Sequence, residues 1–268
     1  MSHNTSPPPI RRVTYGLGAA ALAASLFGCS PSGQINSLNE AKQIAAACPP
    51  GKQIAGRAAI DVSGERLAVA GDQGRLAPVR SLAERVAVCG GHLRIDVFAA
   101  TAGATAALYD SDLHAQGATE IARLRRVPGM VEEVMAAVTK NLPVAANTLP
   151  RAGTDVLAQF TLASEYIRQL DPSGDRYVLD LVISSGGVQT VGTSLSDPSL
   201  TPEQAMQLAD RVVAPNLSGA TVRLTDVGKT PGRSLPTSYV DALKAFYTKA
   251  CQASRAASCA VVTDAAGR

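Results

Sequence analysis

The sequence predicts an α/β fold: an open, mainly parallel, doubly wound sheet with one antiparallel edge hairpin and helices on both faces. Three observations predict it. Short apolar runs alternate with segments whose apolar residues recur at helical spacing, the pattern of a parallel sheet joined by helical crossovers. Two strand-like runs, "LRIDVFAA" and "ATAALYD", are separated only by Thr101, Ala102 and Gly103. That is too little chain for a crossover, so these two pair antiparallel. Finally, "RYVLDLVIS" is almost continuously apolar, as a strand covered on both faces should be.

The elements follow in order. "SLNEAKQIAAAC" opens with Ser37 and Glu40 at capping-box spacing and reads as a short helix, stopped by Cys48-Pro49-Pro50. "AAID" is the first strand and ends at Asp61. In "LAPVRSLAERVAV", Leu76, Val79, Leu82, Ala83 and Val86 recur at helical spacing. The hairpin follows, then "MVEEVMAAVTKNL" and "TDVLAQFTLASEYIRQL" as helices. After the buried strand, "TPEQAMQLADRVV" has Thr201 as N-cap, Pro202 in the first turn and Gln204 completing a capping box. "ATVRLTDVG" is a strand, "SYVDALKAFYTKAC" a helix and "CAVVTD" the last strand. With 46% hydrophobic residues in 268, no Trp and 4% aromatics, the interior must be closely packed Ala, Val, Leu and Ile. No internal repeat interrupts this pattern, so residues 46–268 read as one domain.

The chain before it reads as a targeting segment. "MSHNTSPPPIRR" is polar and basic, and "VTYGLGAAALAASLFG" is apolar but short for a membrane span. "LFGC" resembles a bacterial lipobox, so residues 1–28 are expected to be a signal peptide and Cys29 the lipidated first residue. Residues 29–45 then form a lipid-anchored tether and the start of the short helix. The expected location is the extracytoplasmic face of a bacterial cell membrane, held there by the lipid anchor. The net charge of +3 is too small for a nucleic-acid footprint, and no nucleic-acid partner is expected.

Cys48, Cys89, Cys251 and Cys259 remain. An even number in an exported domain favours disulfides, and no CxxC pair suggests metal ligation. Sequence rules leave three connectivities open; proximity in the element order favours Cys48–Cys89 and Cys251–Cys259.

In open sheets of this class, ligands bind beyond the carboxyl ends of strands where the winding reverses. Three loops are candidates to meet there: "IDVSGE" after the first strand, "AGTD" opening a helix, and "SSGG" after the buried strand. These residues resemble a von Willebrand factor A-type (vWA) domain, a Rossmann-like fold, over roughly residues 52–265. "IDVSGE" is similar to that family's Asp-x-Ser-x-Ser metal-ion-dependent adhesion loop. "AGTDVLAQFTLA" is similar to its second loop, where a Thr coordinates the ion, and "LVISSGGVQT" to its third, where Ser-Asp-Gly is usual. The resemblance implies Asp61, Ser63 and Thr154 as positions of an ion site for Mg²⁺ or Mn²⁺, with Glu65 and Ser185 beside them.

Two positions depart from the family: Glu65 stands where it has Ser, and Ser185 where it has Asp. The oxygen inventory is kept, with Asp61 and Glu65 as carboxylates and Ser63, Thr154 and Ser185 as hydroxyls, but one charge has moved from the third loop to the first. Two readings stand. The loop is a rearranged, degenerate cation site, or Asp61, Ser63 and Gly64 are simply a turn whose side chains satisfy local amides.

Other motifs carry less. "VGKT" lacks the glycine a phosphate loop needs and runs into Pro231, and no G-x-S-x-G occurs. His92 and Asp96 share a strand face as ordinary polar residues. "YDSDLHAQGATE" reads as a solvated loop, and "RLRR", Arg123 to Arg126, as an exposed helix start. The expected function is a lipid-anchored module binding a protein or cell-wall ligand. The alternatives are a structural envelope lipoprotein with no metal site and, further off, an envelope hydrolase using Asp61 or Glu65 as general base. No nucleophile–base–orienter spacing supports catalysis, so an enzyme is not expected.

Overall fold

The computed structural model describes residues 1–2, 38–101 and 103–265. The chain divides into two units, Met1–Pro31 and Ser32–Arg268, and the fold belongs to the second. The expected signal peptide, the lipidation at Cys29 and the tether as far as residue 37 lie outside the described residues. Among the described residues, no helix is long and apolar enough to cross a membrane.

Helix α1 (Leu38–Ala46) leads into β1 (Gln53–Asp61), a short 3₁₀ helix (Gly64–Val69) and α2 (Gln73–Cys89). The hairpin β2 (Gly91–Phe98) and β3 (Thr105–Leu113) follows, then α3 (Glu120–Leu124), α4 (Val127–Asn147) and α5 (Val156–Leu170). After β4 (Tyr177–Ser184) come α6 (Pro202–Ala209) and β5 (Thr221–Thr225). A two-stranded ribbon, β6 (Lys229–Thr230) and β7 (Arg233–Ser234), precedes α7 (Thr237–Ala253) and β8 (Ser258–Val261).

The six-stranded sheet has the order β3-β2-β1-β4-β5-β8. Every pairing is parallel except β2–β3. The chain therefore winds outward from β1 in one direction, returns, and winds outward from β4 in the other. The reversal falls between β1 and β4, which run side by side with Ile60 opposite Ser184. This is the doubly wound arrangement in which a crevice opens at the strand ends.

Alternation along β1 divides the core. Ile54, Ala58 and Ile60 pack against α2 and α4 with Leu82, Val86, Val131 and Val138, all buried. Ala55 and Ala59 face the other way, towards Phe160, Leu243 and Phe246 of α5 and α7. Each such aliphatic or aromatic side chain contributes about 1.5–3 kcal/mol on full burial. Gly56 sets how close α2 can come: a Cβ there would lie 2.6 Å from Val86 Cγ2.

The cysteines pair as the element order favours. Cys48–Cys89 ties the chain after α1 to the end of α2, and Cys251–Cys259 ties α7 to β8. The capping box of α6 is present, with Thr201 accepting from Gln204 N and Gln204 Oε1 accepting from Thr201 N.

Several expectations need adjusting. Helix α2 starts at Gln73, ahead of the apolar pattern, and contains Pro78 in its second turn, where one N–H is missing from the helix ladder. Part of "YDSDLHAQGATE" is not loop at all: Tyr109 to Leu113 belong to β3, and Asp110 pairs with Arg94 at 2.9 Å. Asp96 is not an ordinary polar residue either. It is 1% exposed and holds both Arg57 (3.1 Å), itself buried, and Arg94 (3.0 Å). Burying Arg57 pulls its pKa down, against the raising effect of Asp96; Gln159 supplies two further acceptors to the same guanidinium.

Candidate functional site

β1 ends in Asp61, which is 2% exposed and sits at the winding reversal. Both of its oxygens are engaged. Oδ1 accepts from Ser63 N (2.9 Å) and Ser63 Oγ (2.6 Å), the Asp-x-Ser spacing folding back on itself as an Asx turn. Oδ2 accepts from Ser185 Oγ (2.6 Å), which follows the neighbouring strand β4. Ser63 Oγ also lies 2.6 Å from Thr154 Oγ1. Four of the five expected residues thus meet: Asp61, Ser63, Thr154 and Ser185. Glu65 does not join them. It is exposed on the wall of the crevice, and the hydrogen bonds linking the other four do not reach it.

The three loops hold one another. Gly64 N donates to Arg151 O (3.0 Å), and Thr154 and Thr190 are joined through Thr154 N to Thr190 Oγ1 (2.7 Å) and Thr190 N to Thr154 O (3.0 Å). Gln189, 1% exposed, accepts from Val156 N and donates to Asp155 Oδ1, which itself caps α5. The third loop is thereby fixed to the first turn of that helix. Behind it, Tyr247 donates to Gly187 O (3.0 Å), and burial pushes its phenol pKa well above the ordinary value, with Asp61 adding to the effect.

The residue that the sequence reading passed over is Arg66. The 3₁₀ helix after "DVSG" turns it inward, where its side chain is 10% exposed. Its Nε lies 3.3 Å from Asp61 Oδ2, its Nη2 donates to Asp226 Oδ2 (2.6 Å) and its Nη1 to Lys229 O (2.9 Å). Arg75 of α2 also pairs with Asp226 Oδ2. Burial, then the adjoining Arg66 guanidinium, lowers the Arg75 pKa. Two carboxylates and two guanidiniums therefore form a compact, charge-balanced group. Gly186 makes room for it: a Cβ there would come within 2.9 Å of Lys229 O and 3.1 Å of Arg66 Nη1.

This arrangement fits a hard divalent cation poorly. Such an ion needs several oxygen lone pairs free to turn towards it, with carboxylate charge among them. Here Asp61, the carboxylate among the four converging residues, already accepts three hydrogen bonds and is paired with the Arg66 cation. Among the described residues, no group of three or more His, Cys, Asp or Glu is placed to hold a metal. No protein-family model matches the chain, and no curated protein matches it either.

The crevice above the cluster encloses about 340 Å³. Arg66, Arg151, Lys229 and Arg233 line it, against Asp61 and Glu65. Histidine chemistry is remote. His92, hydrogen-bonded to Tyr166 at 3.0 Å, is in register with Ala55, six residues before Asp61 and so about 20 Å away along the strand.

Proposed function

We propose that this protein is a lipid-anchored, extracytoplasmic binding module of the vWA-like kind, which docks a protein or cell-envelope ligand over the carboxyl ends of β1 and β4. The observation that carries the reading is the convergence of Asp61, Ser63, Thr154 and Ser185 on the floor of a crevice at the winding reversal. That is the place where open sheets of this class receive ligands. The lipobox-like "LFGC" and the polar tether support the anchor, and the paired cysteines suit an exported domain.

One observation favours the structural-lipoprotein reading instead. The cluster's hydrogen bonds close on themselves, as those of a staple between loops would. A photo-crosslinking amino acid separates the two. It is placed in the full chain at position 65, on the crevice wall, or at position 173, exposed before β4 at the other end of the sheet. The binding module yields a discrete envelope-protein or wall adduct from position 65 and none from 173. Equal labelling from both, or none from either, favours the structural reading.

A further inference from the structure

The cation that neutralises Asp61 belongs to the chain itself. Arg66 sits against the carboxylate and, through Nη1, also holds the carbonyl of Lys229, the first residue of the β6–β7 ribbon. The ribbon is thus tied to the crevice floor. It brings Lys229 and Arg233 to the crevice, and both are exposed. Among the described residues, neither forms an ion pair. Arg151 lines the opposite loop, exposed, and among the described residues its side chain is hydrogen-bonded to Asn147 Oδ1 alone (2.8 Å).

The charge is therefore unequal between floor and rim. On the floor, Asp61 and Asp226 balance Arg66 and Arg75. On the rim, Arg151, Lys229 and Arg233 face the single acid Glu65. A crevice of this kind, walled by low-dielectric protein, focuses a positive potential and favours an anion entering from solvent. Guanidinium and ammonium groups are the usual donors to a carboxylate. The walls also include Val188 and Pro231, apolar surface suited to the methylenes of an acidic side chain.

We propose that the crevice captures an acidic peptide segment of a partner protein, its carboxylate held by Lys229, Arg233 and Arg151 above the Asp61–Arg66 pair, without a divalent cation. The inference rests on the binding-module reading and names the chemistry of its ligand. It follows from the uneven charge of floor and rim: the positive charge that attracts an acid is supplied by side chains.

The test is fluorescence anisotropy on the full chain in non-ionic detergent. The probe is a fluorescein-labelled peptide alternating Glu and Gly, beside the same peptide with Gln for Glu. Saturable binding of the Glu peptide in EDTA is expected, unchanged by Mg²⁺ and absent for the Gln peptide. The K229A/R233A double variant, both positions being exposed, should bind about tenfold more weakly, a loss of about 1.4 kcal/mol. R125A/R126A, exposed at the start of α4, should bind normally. No binding, binding that requires Mg²⁺, or equal weakening by both variants overturns the inference. So does displacement by inorganic phosphate at concentrations where acetate has the same effect, which marks a general anion site. If the peptide fails while position 65 still crosslinks, the inference falls and the binding module stands; if both fail, both fall.

Discussion

Arg66 and Asp61 form an ion pair at the end of β1, with Nε of the guanidinium 3.3 Å from Oδ2 of the carboxylate and only about a tenth of either side chain, or less, exposed. Their sequence spacing is short, but the contact depends on the 3₁₀ turn between them. The same guanidinium reaches Asp226 beyond β5 and Lys229 in the ribbon. One side chain thus joins the loops after β1 and β5.

Arg66→Ala should accordingly be among the more damaging single changes near the crevice. It leaves Asp61 buried without its cation and cuts one of the two guanidiniums on Asp226. Removing one partner of a buried pair costs about 3–5 kcal/mol. Arg66→Lys should recover only part of this, since an ammonium cannot present a fork to two carboxylates and a carbonyl. Urea unfolding of the three proteins reads both effects. A loss below about 1 kcal/mol for Arg66→Ala, the range of an exposed pair, would contradict the role assigned to it.

Titration of the metal-free protein with Mg²⁺, Mn²⁺ and Ca²⁺ should give no saturable heat and no shift in melting temperature. Asp61 is already engaged by Ser63, Ser185 and Arg66, so an ion would have to displace a cation to coordinate it. Asp61→Ala should lower stability with or without metal, because Arg66 loses a counter-charge and Ser63 N and two hydroxyls lose their acceptor. Saturable binding in the wild type that disappears in Asp61→Ala would revive the cation site.

The fold was open to sequence reading because its signals are local. The capping box at Thr201 and Gln204, the short gap after "LRIDVFAA" and the apolar run of β4 each state their structure within a few residues. So were Asp61, Ser63 and Ser185, which stand at the ends of adjacent parallel strands, where the loops must meet, whereas Thr154, in the loop before α5, comes in through the family resemblance. Arg66 was not open to sequence reading. A solvent-seeking residue in a polar loop gives no sign of burial until Asp226, 160 positions away, comes within 2.6 Å of it. Asp226 is equally hidden: it adopts a left-handed backbone (φ 72°) at the end of a strand run that reads as continuous. Glu65 failed for the opposite reason, its side chain being carried outward by the turn that carries Arg66 in.

Cys89→Ser should reduce stability far more than Glu65→Ala. The Cys48–Cys89 bridge spans 41 positions, and closing a loop of that length restrains the unfolded chain by about 4 kcal/mol. Glu65 is exposed and outside the cluster, so its loss should stay within about 0.5 kcal/mol. Cys251–Cys259 spans 8 positions, and Cys259→Ser should fall between the two at about 2.5 kcal/mol by the same chain-entropy argument. Melting under non-reducing conditions ranks the three, and a Glu65→Ala loss larger than that of Cys89→Ser would refute the ordering.

Asp171 should make stability depend on pH, independently of the crevice. It lies before β4, and burial alone would raise its pKa. The backbone N–H groups of Tyr177 and Arg176, Ser173 Oγ and Gly174 N all donate to its carboxylate, and together they hold the pKa below the ordinary value. A depressed folded-state pKa means that the unfolded chain binds the proton more readily. The stabilisation is therefore complete above the unfolded carboxylate range near pH 4 and disappears as pH falls through the folded value. Asp171→Asn keeps the size but turns an amide N–H₂ towards some of those donors. It should be less stable than the wild type at pH 7, and the gap should narrow steadily as pH falls below about 4. Urea midpoints of the two proteins from pH 7 to pH 3 measure this directly. A gap that stays constant over that range would mean that the carboxylate's charge plays no part in holding the turn into β4.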